Sequence, residues 1–171
     1  APTTGTLILI NSRWGSRIAD QLLGDLVLHF SNTTLVVYGG SPRDELRARA
    51  TPMRLHVRHN SIDFTALIAL VEWHTSLRAF VTFDRVFYMH DSMRVFSLET
   101  LRAQLLHHNL ARTCSLQMGQ SMNLGIYAVR DLLDEQLFQT HMFRSSNNPT
   151  HKERSTLKWR GATGWEGIIF S

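Results

Sequence analysis

One short stretch of this chain combines an apolar run with polar side chains at its end. Residues 86–89 are Val-Phe-Tyr-Met, which is typical of a buried strand. His90, Asp91 and Ser92 follow, and their nitrogen and oxygen atoms can ligate a metal ion or contact a phosphate. Because open α/β sheets bind ligands outside the carboxyl ends of their strands, the stretch predicts a metal or diphosphate site. The structural alternative is that Asp91 only caps a turn.

His90 and Asp91 are adjacent, which limits how they can act together. Successive side chains of a strand point to opposite faces of a sheet, so both residues reach one ion only if the strand ends at Met89. If the strand continues, His90 is instead a histidine at the sheet end that bonds to the backbone.

Polar residues also accompany other predicted elements. Asn11 and Arg13 follow a predicted strand at 6–10, where α/β folds bind nucleotides, although an ordinary loop explains them too. Asn60 and Asp63 precede a predicted helix at 64–74. The stronger interpretation of Asp63 is a helix cap.

Short buried runs alternate with helical patterns through residue 91. The pattern predicts a mostly parallel, Rossmann-like α/β sheet with helices on both faces. Residues 44–50 are predicted to form a short helix, and Ile18 is predicted on the inner side of the first long helix. We expect one domain over 1–171, with a more polar loop or flexible segment at 144–160. The predicted strands of the central sheet are 6–10, 34–38 and 86–90, and residues 53–59 are predicted to form a further strand.

The composition is that of a folded chain with a modest positive charge. Of 171 residues, 43% are hydrophobic and 19% charged, and the net charge is +4. The charge suits anionic ligands such as sugar nucleotides, RNA or phospholipid headgroups, without choosing among them. Cys114 is the only cysteine, which excludes an intramolecular disulfide and favours a reducing, cytoplasmic compartment. No apolar stretch approaches the length of a membrane span.

Several familiar motifs do not occur. The first strand is not followed by G-x-G-x-x-G, and there is no G-x-x-x-x-G-K-[ST], which argues against a nicotinamide, flavin or P-loop site. No G-x-S-x-G elbow occurs, and the histidine spacings do not make a convincing zinc site.

The order of these features resembles the GT-A class of nucleotide-sugar glycosyltransferases. Residues 88–92, Tyr-Met-His-Asp-Ser, match the strand that ends in a D-x-D-type motif in that class, and residues 121–127 match a later segment that lines the sugar side. The resemblance implies that Asp91 and His90 hold a divalent cation, manganese or magnesium, on the donor diphosphate. It also implies that Asn123 and Gly125 lie beside the sugar, and that Asn60 and Asp63 contact the nucleoside. Only one acidic residue stands where the class usually has two, so the alternative is a transferase that needs no metal ion.

The resemblance implies sugar transfer from a nucleotide-sugar donor to an acceptor hydroxyl. By analogy with the class, Glu166 is a candidate carboxylate for deprotonating that hydroxyl, and Asp91 is the other catalytic candidate. The alternative is a non-catalytic GT-A-like module that docks into a larger assembly, such as one containing RNA. The missing second acidic residue and the basic charge motivate this alternative.

Overall fold

The computed structural model describes residues 5–60, 64–107, 114–115 and 125–133. They form a seven-stranded sheet with helices on both faces. The strands, in chain order, are β1 (Thr6–Arg13), β2 (Thr34–Gly39), β3 (Glu45–Arg47), β4 (Met53–His56), β5 (Arg85–His90), β6 (Cys114–Ser115) and β7 (Gly125–Ala128). The helices are α1 (Ala19–Phe30), α2 (Thr65–Leu77), α3 (Leu98–His107) and α4 (Val129–Leu132), with a 3₁₀ turn at Ser31–Thr33.

The spatial order of the strands is β3-β4-β2-β1-β5-β7-β6. Strands β1, β2, β4 and β5 are parallel, whereas β3 and β7 run antiparallel to their neighbours. From β1 the chain builds outward through β2 and β4, and it then returns to place β5 on the other side of β1. The strand order therefore reverses between β1 and β5, which is the position where open α/β sheets bind ligands. The predicted mostly parallel α/β sheet is confirmed.

The sheet separates two hydrophobic cores, and β1 contributes to both. Leu7 and Leu9 pack on the side of α2, whereas Ile8 and Ile10 pack on the side of α1 and α3. All four side chains are fully buried. Because both faces of this strand are covered, its sequence is a continuous apolar run instead of an alternating one. Helices on both faces are thereby confirmed.

The structure differs from the sequence prediction in several places. β4 ends at His56 instead of at residue 59. β1 continues to Arg13, because Asn11 and Ser12 extend the ladder with β2 and Asn11 also pairs with β5. The helix predicted at 44–50 is wrong, since β3 lies there and pairs with β4. A segment this short has little helical stability of its own, so strand pairing decides its conformation. Ile18, predicted on the inner side of α1, is 52% exposed.

Some predictions fall outside the described residues. These are the roles of Asp63, Asn123 and Glu166 and the polar segment at 144–160. Among the residues that the structure describes, no helix has the length and apolar character needed to cross a bilayer.

Candidate functional site

A hydrogen bond joins the two sides of the strand-order reversal. The Ser12 hydroxyl donates to Oδ2 of Asp91 at 2.8 Å. The backbone N–H of Asp91 donates to the carbonyl of Asn11 at 3.1 Å, which keeps the segment after β5 against β1. Ser12 is 7% exposed and Asp91 is half-buried. A carboxylate held by a hydroxyl thus lies at the carboxyl ends of β1 and β5, where a ligand is expected.

The strand register continues this pair into a longer set of polar side chains. Ser12 pairs with Tyr38, Tyr38 pairs with His56, and His56 pairs with Glu45. Cross-strand partners point to the same face, and Tyr38 packs in the core beneath α1 and α3. We call Asp91, Ser12, Tyr38, His56 and Glu45 the polar row. With strands about 4.8 Å apart, the row extends roughly 19 Å along the carboxyl edge of the sheet.

The centre of the polar row is an aromatic pair. The rings of Tyr38 and His56 are stacked, with centroids 5.0 Å apart and an interplanar angle of 20°. Burial is the main cause that raises the pKa of Tyr38, and Asp20 and Asp91 raise it further against the opposing effect of Arg54. The phenol therefore remains a hydrogen-bond donor at neutral pH.

His56 is held in its neutral form. Burial is the main cause that lowers the pKa of His56, and the nearby positive charges of Arg47, Arg54 and Arg43 lower it further. Glu45 opposes this shift only in part. A neutral imidazole stacked on a phenol offers a hydrogen-bond acceptor and an aromatic surface without adding positive charge.

Asn11 acts on the opposite side of the sheet. Its Oδ1 accepts a hydrogen bond from the backbone N–H of Ala66 at 2.9 Å, in the first turn of α2. Asn11 is 7% exposed. This side chain therefore satisfies one of the N–H groups that a helix start leaves without an intrahelical acceptor, as a capping residue would do. The side-chain oxygen of Asn11 thus positions α2 against the carboxyl end of β1.

Glycine is required where β2 turns toward β3. A Cβ added to Gly39 would lie 2.7 Å from Cγ2 of Thr65 and 3.2 Å from the carbonyl oxygen of His59. Gly40 has a φ of 72°, a left-handed conformation that glycine adopts without strain. The glycine pair lets the end of β2 approach the start of α2.

His90 and Asp91 are directed apart. β5 includes His90, so the alternation along the strand places His90 on the α2 side and Asp91 on the side of Ser12. The His90 ring makes an edge contact with Tyr88, whose centroid lies 5.6 Å away. Because β5 extends past Met89, the condition for joint ligation is not met by this strand, and metal ligation by either residue alone stays a prediction.

The fit of a divalent cation depends mainly on Asp91. Among the described residues, no group of three or more His, Cys, Asp or Glu side chains is arranged to hold a metal. Asp91 offers one carboxylate, and its Oδ2 already accepts a bond from Ser12. Carboxylate oxygen suits magnesium or manganese, but such an ion would take most of its ligands from a diphosphate and water.

The remaining predicted residues lie around the same edge. Arg13 ends β1 opposite Gly39 and is exposed, and Asn60 is half-buried in the segment before α2. Gly125 opens β7 opposite Tyr88.

The loop that follows Asp91 is anchored to α1. Nε and Nη2 of Arg94 donate to the two carboxylate oxygens of Asp25 at 2.7 and 3.0 Å. The backbone N–H of Val95 donates to Asp25 Oδ2 at 2.9 Å. The Arg94 hydrogen bond is the main cause that lowers the pKa of Asp25. A bidentate pair of this kind restricts the loop geometry beside Asp91.

Sequence reasoning missed Ser12, Tyr38 and His56 as site residues. A weak signal was present, because Ser12 and Tyr38 stand at or just beyond the end of an apolar run, whereas His56 lies inside the alternating segment at 53–59. Ser12 continues the alternation of Ile8 and Ile10 by two residues, which predicts the same face. Register between strands is the missing information, since it alone makes these residues neighbours.

No protein-family model and no curated protein matches this chain.

Proposed function

We propose that this chain is a GT-A-like glycosyltransferase domain that binds a nucleotide-sugar donor and transfers its sugar to an acceptor hydroxyl. The observation that carries the proposal is the Ser12–Asp91 hydrogen bond of 2.8 Å across the reversal in strand order. Asp91 stands at the position that the resemblance assigns to the D-x-D-type motif. A Rossmann-like sheet is the scaffold on which such a site is expected.

The polar row suggests how a donor would lie. The diphosphate would sit near Ser12 and Asp91, and the nucleoside would extend toward the stacked rings of Tyr38 and His56. The length of the row, roughly 19 Å, is adequate for an extended ligand with two or three linked groups. A hydroxyl, a phenol and a neutral imidazole supply the directional hydrogen bonds that orient such a ligand.

Asp91 and a diphosphate are both negative, so direct contact between them is unfavourable. A bound manganese or magnesium ion would supply positive charge between the two. Asp91 would then hold the ion, and Ser12 would keep the carboxylate in place through its hydrogen bond.

In the proposed reaction, the acceptor oxygen attacks the anomeric carbon, and the bond from that carbon to the diphosphate oxygen breaks. The acceptor proton passes to a base, for which Glu166 is the candidate by analogy with the class. The described residues contribute by positioning the two partners and orienting the leaving diphosphate. The loop anchored by Asp25 and Arg94 borders this position and would limit the approach of water.

The test is a calorimetric panel of uridine, guanosine, adenosine and cytidine diphosphates, with and without manganese. We expect one nucleotide to bind, and we expect manganese to tighten its binding. The corresponding sugar nucleotide should be hydrolysed slowly when water replaces the acceptor, which release of free nucleoside diphosphate reports. The enzyme proposal fails if none of the diphosphates binds while a control transferase responds in the same assay.

The second candidate function is a non-catalytic module in a larger assembly. It is favoured by the single carboxylate at the site and by the lack of a three-residue metal group among the described residues. Nucleotide binding with release of diphosphate from the donor would contradict this alternative. Stable association with a protein or RNA partner, without binding to any diphosphate, would support it.

A further inference from the structure

Large apolar side chains are exposed in the two loops that follow β1 and β5. Trp14 is 53% exposed and Ile18 is 52% exposed, both between β1 and α1. Phe96, between β5 and α3, is 96% exposed. Exposing such residues to water is unfavourable, and a group of them on neighbouring loops indicates a surface that something covers.

These loops are held in defined positions. The backbone N–H of Trp14 donates to the carbonyl of Gly39 at 2.8 Å, and the backbone N–H of Ile18 donates to Oγ of Ser16 at 3.2 Å. Asp25 binds the backbone just before Phe96. The exposure of the apolar side chains is therefore built into the fold.

Helix α1 connects the two loops. Ile18 immediately precedes α1 and has helical backbone angles. Ile18, Gln21 and Asp25 therefore follow helical spacing and lie on one face. Arg94 contacts Oε1 of Gln21 at 3.4 Å and both carboxylate oxygens of Asp25. The loop that carries Phe96 thus lies along the helix face that begins at Ile18, about two helical turns or roughly 10 Å from it.

Arginines also lie on the α1 side of the sheet. Arg17, in the loop that carries Trp14 and Ile18, is exposed, and its Nε lies 3.1 Å from Oδ2 of Asp20. Arg47 on β3 and Arg54 on β4 are direct cross-strand partners, and both are exposed. Like charges opposite each other destabilise a strand pair. A negatively charged partner on this surface would offset the repulsion between the two arginines.

The acidic residues nearby do not neutralise this arginine pair. Glu45 contacts Arg47 at 3.2 Å and also contacts Arg43 at 3.4 Å. Within the described part of the chain, no carboxylate forms an ion pair with Arg54. The α1 side of the β3–β4 pair therefore has an excess of positive charge.

We propose that the loops after β1 and β5, together with the neighbouring arginines, dock on an anionic lipid bilayer. Tryptophan and phenylalanine enter the boundary between headgroups and acyl chains, and arginine is attracted to anionic headgroups. Ile18 favours a bilayer over single-stranded nucleic acid, because an aliphatic side chain provides no surface for stacking bases. This inference does not depend on sugar transfer.

The experiment is flotation of the full chain with vesicles of phosphatidylcholine alone or mixed with phosphatidylserine. We expect binding only to the mixed vesicles, with weaker binding at high salt. The variant Trp14→Ser/Phe96→Ser should lose at least tenfold in partitioning, because each change removes a large apolar side chain that the bilayer would bury. Phe80→Ser is the matched control. Phe80 is 54% exposed, but it follows α2 and precedes β5, at the amino ends of the parallel strands.

The charge contribution is tested separately. Arg54→Gln should weaken binding to the mixed vesicles about fivefold, the value expected for one surface arginine. Arg78→Gln at the end of α2 should have little effect, and melting curves establish that all variants are folded. The proposal is overturned if mixed vesicles do not bind, if Phe80→Ser is as damaging as the loop variants, or if single-stranded RNA binds while vesicles do not.

Discussion

Asp91→Asn separates a role in donor binding from a role in structure. Asparagine has nearly the same volume, and its Oδ1 can still accept the Ser12 hydrogen bond seen at 2.8 Å. The change replaces a charge-assisted hydrogen bond with a neutral one, and these contribute about 1.5–3 and about 0.5–1.5 kcal/mol, respectively. The expected destabilisation is therefore about 1 kcal/mol, or about 2–4 °C in Tm for a chain of this size.

The effect on the donor should be much larger. If Asp91 holds a cation on the diphosphate, losing its charge should reduce activity about 100-fold or more, comparable to deleting one preorganised electrostatic group. Tm and the Kd for the nucleoside diphosphate, with and without manganese, are measured on the same preparation. Manganese should no longer improve the affinity of the variant.

Asp84→Asn is the matched control. Asp84 immediately precedes β5, whereas Asp91 immediately follows it, so the two aspartates lie at opposite ends of this strand. Asp84 is exposed, and its Oδ1 lies 3.9 Å from Nε of Arg85. The control should leave donor affinity unchanged. The reasoning about Asp91 is refuted if Asp91→Asn binds the donor as tightly as the unmodified chain and is only less stable.

Ser12→Ala tests whether the hydroxyl acts through Asp91. Removing the hydroxyl should lower stability by about 1–2 kcal/mol and weaken donor binding less than Asp91→Asn does. In a double-mutant cycle, the two changes should be non-additive, because they share one hydrogen bond. Additive losses in donor affinity would mean that Ser12 and Asp91 act independently.

Three further changes test the surrounding structure. Asn11→Ala should lower the free energy of unfolding by about 1–3 kcal/mol in urea, because the first turn of α2 loses a buried acceptor; a loss within error would contradict the capping role. The pKa of Asp25 is lowered below 3.8, so its stabilisation is fully present above that pH and is lost as pH falls through the folded-state value. Asp25→Asn should therefore lower Tm at neutral pH, and the difference from the unmodified chain should shrink in acid below pH 3.8. Arg47→Gln should raise the pKa of His56 toward 6.5 in an NMR titration, and an unchanged value would exclude the arginine as a cause.

The local sequence determined the buried strands and the position of Asp91. Apolar runs such as Val86–Met89 need no tertiary information to be identified, because a strand covered on both faces excludes polar residues. Asp91 is predicted at a carboxyl strand end for the same reason, since it directly follows such a run. The alternation of strands and helices then limits the fold to a mostly parallel sheet.

Tertiary structure decided which of these strand ends meet. Ser12, Tyr38 and His56 are separated by long stretches of chain, and only the register of β1, β2 and β4 places them side by side. Register depends on pairing between distant segments, and a shift by one residue would turn each side chain to the other face. Nothing within the local sequence specifies that choice.

The same reason explains the failed local predictions. β3 replaces a predicted helix because β4 offers a partner for its backbone, and Asn11 faces α2 because β1 continues beyond its apolar run. Ile18 fits the helical pattern, but α1 begins after it, and it remains exposed. Sequence patterns indicate which residues prefer to be buried. The packing of helices and strands against one another decides which of those residues are in fact buried.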